Sequence, residues 1–447
     1  MTAAPVEAPR IRRARGLVPL VIAAAITLPG LLQGLALFLH LPHPSLSAPT
    51  EALVFGVAVV GAAFLLAWAA EVAQLDVSAG LAIAVLALIA VLPEYAVSFV
   101  FAWQGGRNGC AVENGENPCS LVLANMTGAN RLLIGVGWAL VVIIAWFRFR
   151  KVGRPRNDVP LPRSSTVEVG FLGLATLYSL TLPFKSTITP FDLLVLFGIF
   201  VAYTIRISRA PAETPHLIGP AAYVGGFTTV GRRVTYVALF LYSAIVILVS
   251  AEHFADGLVQ TGQELGISSF VLVQWLAPLA SEAPELLVAG LYAWRLSTTN
   301  ALGTLLSSKV NQWTLLVGTL PLVFSIASGR IAGLPVDSLQ SKELLLTAAQ
   351  SLFAVALLAN MDLSIYEALA LLSLFAAQFV LGAVFKSDTE LVIVATAYIV
   401  LGLWLLFRRR RLIGPLVRDA FRTRYEHLEN DTEVDAVTEA EEALKAR

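Results

Sequence analysis

The sequence predicts an all-α polytopic membrane protein whose core consists of two repeats of opposite topology. The first observation is composition: of 447 residues, 57% are hydrophobic and 14% are charged, whereas soluble domains carry about 25% charged residues. The second is a series of apolar segments of about 20 residues, the length that a helix needs to cross a bilayer. The third is a segment with Pro-Glu in its apolar middle, which occurs once in each half of the chain.

Twelve apolar segments are candidate membrane-spanning helices. They cover residues 17–40, 52–75, 77–103, 119–147, 167–184, 190–208, 234–260, 268–295, 299–327, 342–360, 364–385 and 388–407. The first segment lacks a clear small-residue cleavage site, so we interpret it as a membrane helix and not as a signal peptide.

Basic residues are concentrated in loops that twelve spans place on one side. The segment RIRRARG precedes the first span, RFRKVGRPRNDVPLPR follows the fourth, RISRAPAETP follows the sixth and RRRRLIGPLVRD follows the last. Positively charged loops stay in the cytoplasm. We therefore expect a basic cytoplasmic N-terminus at 1–16, a cytoplasmic tail at 408–447, and a location in a cell membrane, by its composition a bacterial one.

The two cysteines, Cys110 and Cys119, fall in a single loop on the opposite, outer side. An oxidising compartment permits a disulfide between them. Two unpaired thiols are the alternative.

The two Pro-Glu segments have similar surroundings. LDVSAGLAIAVLALIAVLPEYAVSFVFAW in the first half corresponds to ISSFVLVQWLAPLASEAPELLVAGLYAW in the second. The first runs outwards and the second inwards, which is the inverted-topology arrangement of secondary transporters; chance similarity is the alternative. We predict a first repeat at 52–208 with its central region at 77–147, a cytoplasmic linker at 209–233, and a second repeat at 234–385 with its central region at 268–327.

Proline and glutamate in the middle of a membrane span indicate a cation site. Pro93 and Pro284 each leave a backbone carbonyl without its helical donor, and such a carbonyl is tolerated in a bilayer where it lines a cavity. Hard cations bind oxygen ligands, and Glu94 and Glu285 place a carboxylate beside each break. The alternative is a pair of structural carboxylates without a role in transport.

The helices that follow the Pro-Glu segments offer further oxygen ligands. The candidates are Asn125, Thr127 and Asn130 in ANMTGANR, and Thr304, Ser307 and Ser308 in GTLLSSK. Each serine or threonine could instead hold helices together without binding a cation.

These residues resemble the motifs of the sodium/calcium exchanger family. Both inverted repeats of that family carry G-T-S-L-P-E followed by G-N-x-x-G-S-N. The similar positions are Leu92-Pro93-Glu94 and Ala283-Pro284-Glu285 for the first motif, and Ala124 to Asn130 and, more loosely, Gly303 to Lys309 for the second. The resemblance implies a ten-helix core, five helices in each repeat, with about one additional helix at each end.

The resemblance also implies cation antiport by alternating access. Glu94 and Glu285 would be the central metal ligands. The further ligands implied are Asn125, Asn130, Ser281 and Ser308.

Several neutral positions depart from the family motifs. Ala90 and Val91 stand where the family has Thr-Ser, Ala129 replaces a serine, and Thr304 and Lys309 replace two asparagines. With these oxygen atoms missing, we do not expect the family's site for several ions to be intact.

Three charged residues are additions to the motifs. Glu282 is a further candidate metal ligand on roughly the same helix face as Glu285. Lys309 lies near the middle of its span, where an ammonium is costly. We hypothesise that it pairs with Glu282 or Glu285 when protonated and releases it when a metal binds; a fixed ion pair is the alternative. Arg131 either reaches towards the membrane interface or neutralises Glu94.

The predicted function is exchange of Ca²⁺ or a related cation for protons or sodium. A sodium/proton exchanger and a non-transporting relative are the alternatives, and a channel fits less well because it would tolerate an intramembrane lysine poorly. We find no HExxH, no P-loop motif and no GxSxG in a suitable context, so no enzyme is predicted. We expect no cofactor beyond the transported cations and no nucleic acid partner. Glu252 and Asp256 either line an access path or lie near the membrane interface.

Overall fold

The computed structural model describes residues 10–76, 92–110, 117–210, 217, 219–385 and 388–428. Its helices are α1 (Arg10–Phe38), α2 (Ala48–Ala73), α3 (Leu92–Asn108), α4 (Pro118–Leu132), α5 (Ala139–Lys151), α6 (Thr166–Ser179), α7 (Pro190–Ile207), α8 (Gly219–Gly225), α9 (Thr229–Leu265), α10 (Ser269–Trp294), α11 (Thr298–Asn311), α12 (Val317–Ser328), α13 (Ser338–Leu357), α14 (Ile365–Phe385), α15 (Thr389–Arg408) and α16 (Arg410–Phe421). The strands are β1 (Asp158–Pro160), β2 (Thr187–Ile188), β3 (Leu334–Pro335) and β4 (Asp362–Ser364). The π-helical segments Leu133–Trp138 and Gln312–Leu316 join α4 to α5 and α11 to α12.

Ten helical segments among the described residues are long and apolar enough to cross a membrane. They include the two predicted additional helices, near 17–40 and 388–407. The predicted span 364–385 corresponds to α14, whose apolar stretch Ile365–Leu381 is shorter. Of the predicted span 77–103, residues 77–91 lie outside the described residues and the rest begins α3. The chain is a multi-pass membrane protein with the predicted all-helical architecture.

Helix boundaries follow local capping chemistry. Thr189 precedes α7 and forms a capping box: its N–H donates to the Asp192 carboxylate at 2.6 Å, and the Asp192 N–H donates back to its hydroxyl. Ser364 and Glu367 form the same arrangement at the start of α14. Gly266 ends α9 with a φ of 64°, a conformation that glycine adopts without strain.

Helices α2 and α9 pack along each other at close range. A methyl group added at Gly56 would lie 2.8 Å from the Phe254 ring, and one at Gly257 would lie 2.8 Å from the backbone nitrogen of Ala52. Small residues let the backbones of membrane helices approach closely. One helix from each half of the chain is therefore held against the other.

The strands show the relation between the two halves. Antiparallel pairs form crosswise: β1 of the first half pairs with β4 of the second, and β2 of the first half pairs with β3 of the second. In each half, the first strand follows the helix that contains a π-helical segment, and the other strand follows the next membrane helix. A two-fold operation that exchanges the halves therefore maps one strand pair onto the other, as an inverted repeat requires.

Three segments that connect or follow the predicted spans acquire structure. Cys110 and Cys119 form a disulfide, with their Cα atoms 5.5 Å apart, so the loop holds the pair that the sequence left open. The predicted linker 209–233 contains α8, and α9 already begins at Thr229. The predicted tail begins with α16, and residues 429–447 lie outside the described residues.

Candidate cation site

The centre of the molecule holds two carboxylates and an amide, contributed by three helical segments. Glu94 lies in the first turn of the described part of α3, Glu282 lies in α10 between two internal prolines, and Gln312 begins a π-helical segment. Their exposed fractions are 2%, 3% and 0%. Polar groups at such depth need partners, because an unpaired buried polar group is costly.

These three groups form hydrogen bonds with one another. The Gln312 Nε2 atom donates to the Glu282 Oε1 atom at 2.5 Å and to the Glu94 Oε2 atom at 3.3 Å. The two carboxyl groups are also within hydrogen-bonding range of each other. A hydrogen bond between two carboxyl groups requires one proton, since an ionised carboxylate only accepts. The pair therefore suits either one shared proton or a cation in its place.

Glu285 does not take the central place that the motif resemblance implies. Its Oε2 atom is buried without a hydrogen-bond partner among the described residues, and Glu282, three residues earlier, is the carboxylate that meets Glu94. Two carboxylates three residues apart lie on adjacent parts of one helix face. Which of them faces α3 depends on the rotation of α10, and this rotation is a property of packing.

Among the described residues, no three or more His, Cys, Asp and Glu side chains are arranged to hold a metal ion. Ala90 and Val91, the predicted departures in the first motif, lie outside the described residues.

Asn125 meets α3 one helical turn beyond Glu94. Its Nδ2 atom donates to the Ser98 hydroxyl at 2.7 Å, while its Oδ1 atom is buried without a partner among the described residues. Ser98 was not singled out in the sequence, where its spacing of four residues from Glu94 was the only available signal. A carbonyl oxygen without a donor is free to accept from a proton-bearing group or to contact a cation.

Asn130 and Lys309 contact each other at the boundary between the halves. The Lys309 ammonium donates to the Asn130 Oδ1 atom at 2.5 Å and to its backbone carbonyl at 3.1 Å. These residues occupy the same position in the two motifs. The expected ion pair of Lys309 with Glu282 or Glu285 is not found, because Asn130 lies nearer the fully buried ammonium. Lys309 also lies 5.0 Å from the Trp313 ring centroid, which contributes a cation–π contact.

The two predicted serine ligands lie apart from the carboxylate pair. The Ser281 hydroxyl donates to the backbone carbonyls of Ala277 and Pro278, at 3.2 and 3.3 Å, within its own helix. Ser308 is half-buried, and its hydroxyl has no hydrogen-bond partner within the described part of the chain. In this conformation neither serine oxygen joins the pair, so their role as ligands stays a prediction.

Arg131 neither reaches the interface nor neutralises Glu94. It is 1% exposed and forms an ion pair with Glu343 of α13 at 2.5 Å. Its guanidinium also donates to the Gln378 side chain at 3.2 Å and lies 5.1 Å from the Trp275 ring centroid. The sequence offered no signal for this pairing, since Glu343 lies more than two hundred residues away and outside both motifs.

A cavity of about 550 Å³ opens beside the end of α3 that carries the disulfide. Glu252 and Asp256 of α9 line it, and Gln104 donates to the Asp256 carboxylate at 3.0 Å. Leu121, one turn before Asn125, lies in the same lining. The cavity therefore comes within one helical turn of Asn125, which favours the access-path interpretation of Glu252 and Asp256.

The comparisons with known proteins agree with the fold and with the motif resemblance. A family model for the sodium/calcium exchanger protein matches residues 50–208 and 235–385, over both repeats. The crystal structure of the H⁺/Ca²⁺ exchanger CAX is similar to the chain with 42% identity and a TM-score of 0.82, covering 92% of this chain and 98% of that one. The structure of native YfkE is similar in fold, with 15% identity and a TM-score of 0.56, covering 85% and 99%. No curated protein sequence matches the chain.

Proposed function

Because the chain belongs to the sodium/calcium exchanger family, we propose that it is a secondary-active antiporter that exchanges Ca²⁺ for protons by alternating access. The observation that carries the proposal is the hydrogen-bonded pair of Glu94 and Glu282, which come from different halves of the chain and share Gln312. The similarity to an exchanger of protons and Ca²⁺ supports the choice of ions. Sodium is the other candidate counter-ion.

The carboxylate pair supports exchange of Ca²⁺ for protons, because a proton and a Ca²⁺ ion compete for the same position between the two carboxyl groups. When a proton lies between Glu94 and Glu282, the pair carries one negative charge and forms an internal hydrogen bond. When Ca²⁺ enters, both carboxylates become ligands and the proton leaves, because a hard cation prefers charged oxygen atoms. Since a proton and a cation cannot occupy this pair together, loading with one requires release of the other.

Lys309 supports a smaller number of bound cations. Its amino group lies on Asn130, where the resemblance implied a cation ligand, and when it is protonated its charge repels a further cation there. The proposal is that Lys309 stands in for one bound ion. The variant Lys309→Met is expected to change the number of protons or sodium ions exchanged for each Ca²⁺. Unchanged ion coupling, measured from the reversal potential of transport, would contradict this role.

The test is Ca²⁺ uptake into proteoliposomes, driven in separate experiments by a pH gradient and by a sodium gradient. We expect uptake with the pH gradient, and a loss of at least about 100-fold in Glu94→Gln and Glu282→Gln, since each removes a charged ligand. Glu264→Gln, the same change at an exposed residue at the end of α9, is the matched control and should retain uptake.

The other outcomes distinguish the alternatives. If Ca²⁺ uptake occurs with the sodium gradient and not with the pH gradient, sodium and not the proton is the counter-ion. Proton flux driven by sodium without Ca²⁺ would indicate a sodium/proton exchanger. Absence of any flux, together with no effect of Ca²⁺ on thermal stability, would indicate a non-transporting relative, and flux without counter-ion dependence would indicate a channel.

The proposed orientation in the cell membrane has both termini in the cytoplasm and the disulfide loop outside. The basic segments around the first, fourth, sixth and last spans support it. Arg330→Cys, in an exposed loop after α12, should react with an impermeant maleimide in intact cells. Glu426→Cys, exposed after α16, should react only once the membrane is permeabilised. The reverse pattern would invert the topology.

A further inference from the structure

A buried carboxylate near the start of α6 belongs to neither motif. Glu168 is 9% exposed, and its Oε2 atom is buried without a hydrogen-bond partner among the described residues. No arginine, lysine or histidine forms an ion pair with it within the described part of the chain. An ionised carboxylate buried in this way is costly unless a cation or a proton neutralises it.

The internal symmetry identifies Glu343 as the counterpart of Glu168. The capping boxes at Thr189 and at Ser364 mark equivalent points of the two halves. Glu168 precedes Thr189 by the same number of residues as Glu343 precedes Ser364. Both glutamates lie near the start of the membrane helix between the two strands of their half.

The two counterparts differ in how their charge is compensated. Glu343 pairs with Arg131 at 2.5 Å. Arg131 directly follows Asn130, and the residue that directly follows its counterpart Lys309 is Val310, which is fully buried. The second half thus has a valine where the first half has the arginine. An ion pair between the halves on one side corresponds, at the symmetry-related position, to an uncompensated acid.

Polar groups connect Glu168 with the centre of the molecule. Tyr203 of α7 lies within electrostatic range of Glu168, and its hydroxyl is 3.1 Å from the Ser307 hydroxyl of α11. Ser307 lies two residues before Lys309 on the same helix. The line from Glu168 through Tyr203 and Ser307 therefore reaches α11, the helix that also carries Lys309.

The segment after the last span packs against the same end of α6. Ala420 of α16 lies against Gly170, where an added methyl would come within 2.4 Å, and the Phe421 and Phe171 rings are 4.9 Å apart. The basic side chains near this end of α6 are engaged by other groups. Arg163 pairs with Asp419 at 2.7 Å.

Arg206, at the end of α7, donates to the backbone carbonyls of Asp419 and Ala420 and lies over the Tyr425 ring. Tyr425 in turn lies within electrostatic range of Tyr203. The charged and titratable groups on the elements packed around Glu168 thus include these two tyrosines and two arginines, Asp419 with its second partner Arg418, and, on α11 and α13, Lys309, Lys342 and Glu343. None of them neutralises Glu168 in the described structure.

We propose that Glu168 is a second proton-binding site of this protein, which takes up one proton as a carboxylic acid and returns it to water as the carboxylate. The proposal rests on the proposed function and deepens it. A proton on Glu168 adds to the proton shared by Glu94 and Glu282, and the two together set how the exchange rate responds to pH on the side of the membrane where α16 lies. The valine at 310 leaves Glu168 without the arginine that Glu343 has in Arg131.

The test is an infrared titration of the full-length protein in detergent, which reads protonated carboxyl groups directly. Wild type should show a carboxylic-acid C=O band that disappears with rising pH, and Glu168→Gln should lack that component. Glu168→Asp should retain it at a shifted frequency, which controls for folding. An identical band pattern in wild type and Glu168→Gln at every pH would overturn the proposal.

A transport measurement separates this proposal from the proposed function. In proteoliposomes, we measure the rate of Ca²⁺ uptake as a function of pH on the side of the membrane where α16 lies. The slope of the logarithm of this rate against pH should be smaller in Glu168→Gln than in wild type by about one, which is a factor of ten for each pH unit and corresponds to one proton. The same slope in both would overturn a role for Glu168 in exchange. Absence of uptake by wild type would overturn the proposed function, while the infrared band still decides whether Glu168 binds a proton.

Discussion

Gln312 is the residue on which the central carboxylate pair depends. One amide group donates to two carboxylates that come from opposite halves of the chain, and all three groups are buried. A neutral donor holds the carboxylates together without competing for the cation, which a lysine or arginine in this place would do. Gln312 thus positions the two acids for a shared proton or for Ca²⁺.

Replacement of this amide should weaken cation binding. Gln312→Leu keeps a similar volume but leaves the Glu94 and Glu282 oxygen atoms without their donor, at about 1–3 kcal/mol for each group. We expect the apparent Kd for Ca²⁺, measured from the rise in Tm on titration with Ca²⁺, to increase about tenfold or more. Gln74→Leu, the same change at an exposed residue that follows α2, should leave the Kd unchanged. An equal Kd in both variants would show that Gln312 does not position the pair.

Helices α4 and α10 approach each other more closely than side chains would allow. A methyl group added at Gly128 would lie 1.8 Å from the backbone carbonyl oxygen of Gln274. This contact places the helix that carries Asn125 and Asn130 directly against the helix that carries Glu282. The glycine in the first motif therefore sets the distance between the candidate ligands of the two halves.

Substitution of this glycine should separate the two helices. Gly128→Ala is expected to destabilise the fold by about 3 kcal/mol, at the upper end for overpacking, because the clash is with backbone. Gly303→Ala is the matched control: an added methyl there has nothing within 4 Å, and alanine favours the helix. Unfolding in denaturant measures both. Equal stability of the two variants would mean that the α4 and α10 contact relaxes easily.

The two halves are also joined outside the membrane. Asp76, just after α2, accepts hydrogen bonds from Arg232 at 2.8 Å and from Arg233 at 3.1 Å, near the start of α9. The hydrogen bond from Arg232 is the main cause that lowers the pKa of Asp76 from 3.8 to about 2. A carboxyl whose pKa is lowered by folding stabilises the folded state above its unfolded pKa, and this contribution disappears as the pH falls through the folded pKa.

The ion pairs of Asp76 with Arg232 and Arg233 should make the stability of the protein depend on pH in the acidic range. Asp76→Asn is expected to lower the Tm at pH 7, and the difference from wild type should shrink as the pH falls from about 4 to about 2, since wild type then loses the same charge. Asp388→Asn, which removes a partly exposed pair with Lys342, should have little effect. A Tm difference that stays constant across this range would contradict the electrostatic origin.

The all-helical, multi-pass architecture could be predicted because it follows from local properties. Span length, hydropathy and the recurrence of Pro-Glu are visible in the chain, and ten of the twelve predicted spans coincide with described helices that are long and apolar enough to cross a membrane. The sequence left the disulfide open, because two cysteines close together in one loop permit a bond but do not require it. The structure contains the bond between Cys110 and Cys119. The crosswise strand pairs could not be predicted, because strands of two or three residues carry almost no sequence pattern.

The amino-acid sequence alone identified Glu94, Glu282, Glu285, Lys309 and Arg131 as charged residues within predicted spans, because a carboxylate, ammonium or guanidinium stands out in an apolar segment. Their partners were decided by the tertiary structure: Glu282 instead of Glu285 meets Glu94, Lys309 lies on Asn130, and Arg131 pairs with Glu343. The physical reason is that pairing depends on the rotation and close approach of helices far apart in the chain. A change of one residue in helix rotation moves a side chain by about 100°, and spacing along the sequence does not contain that angle.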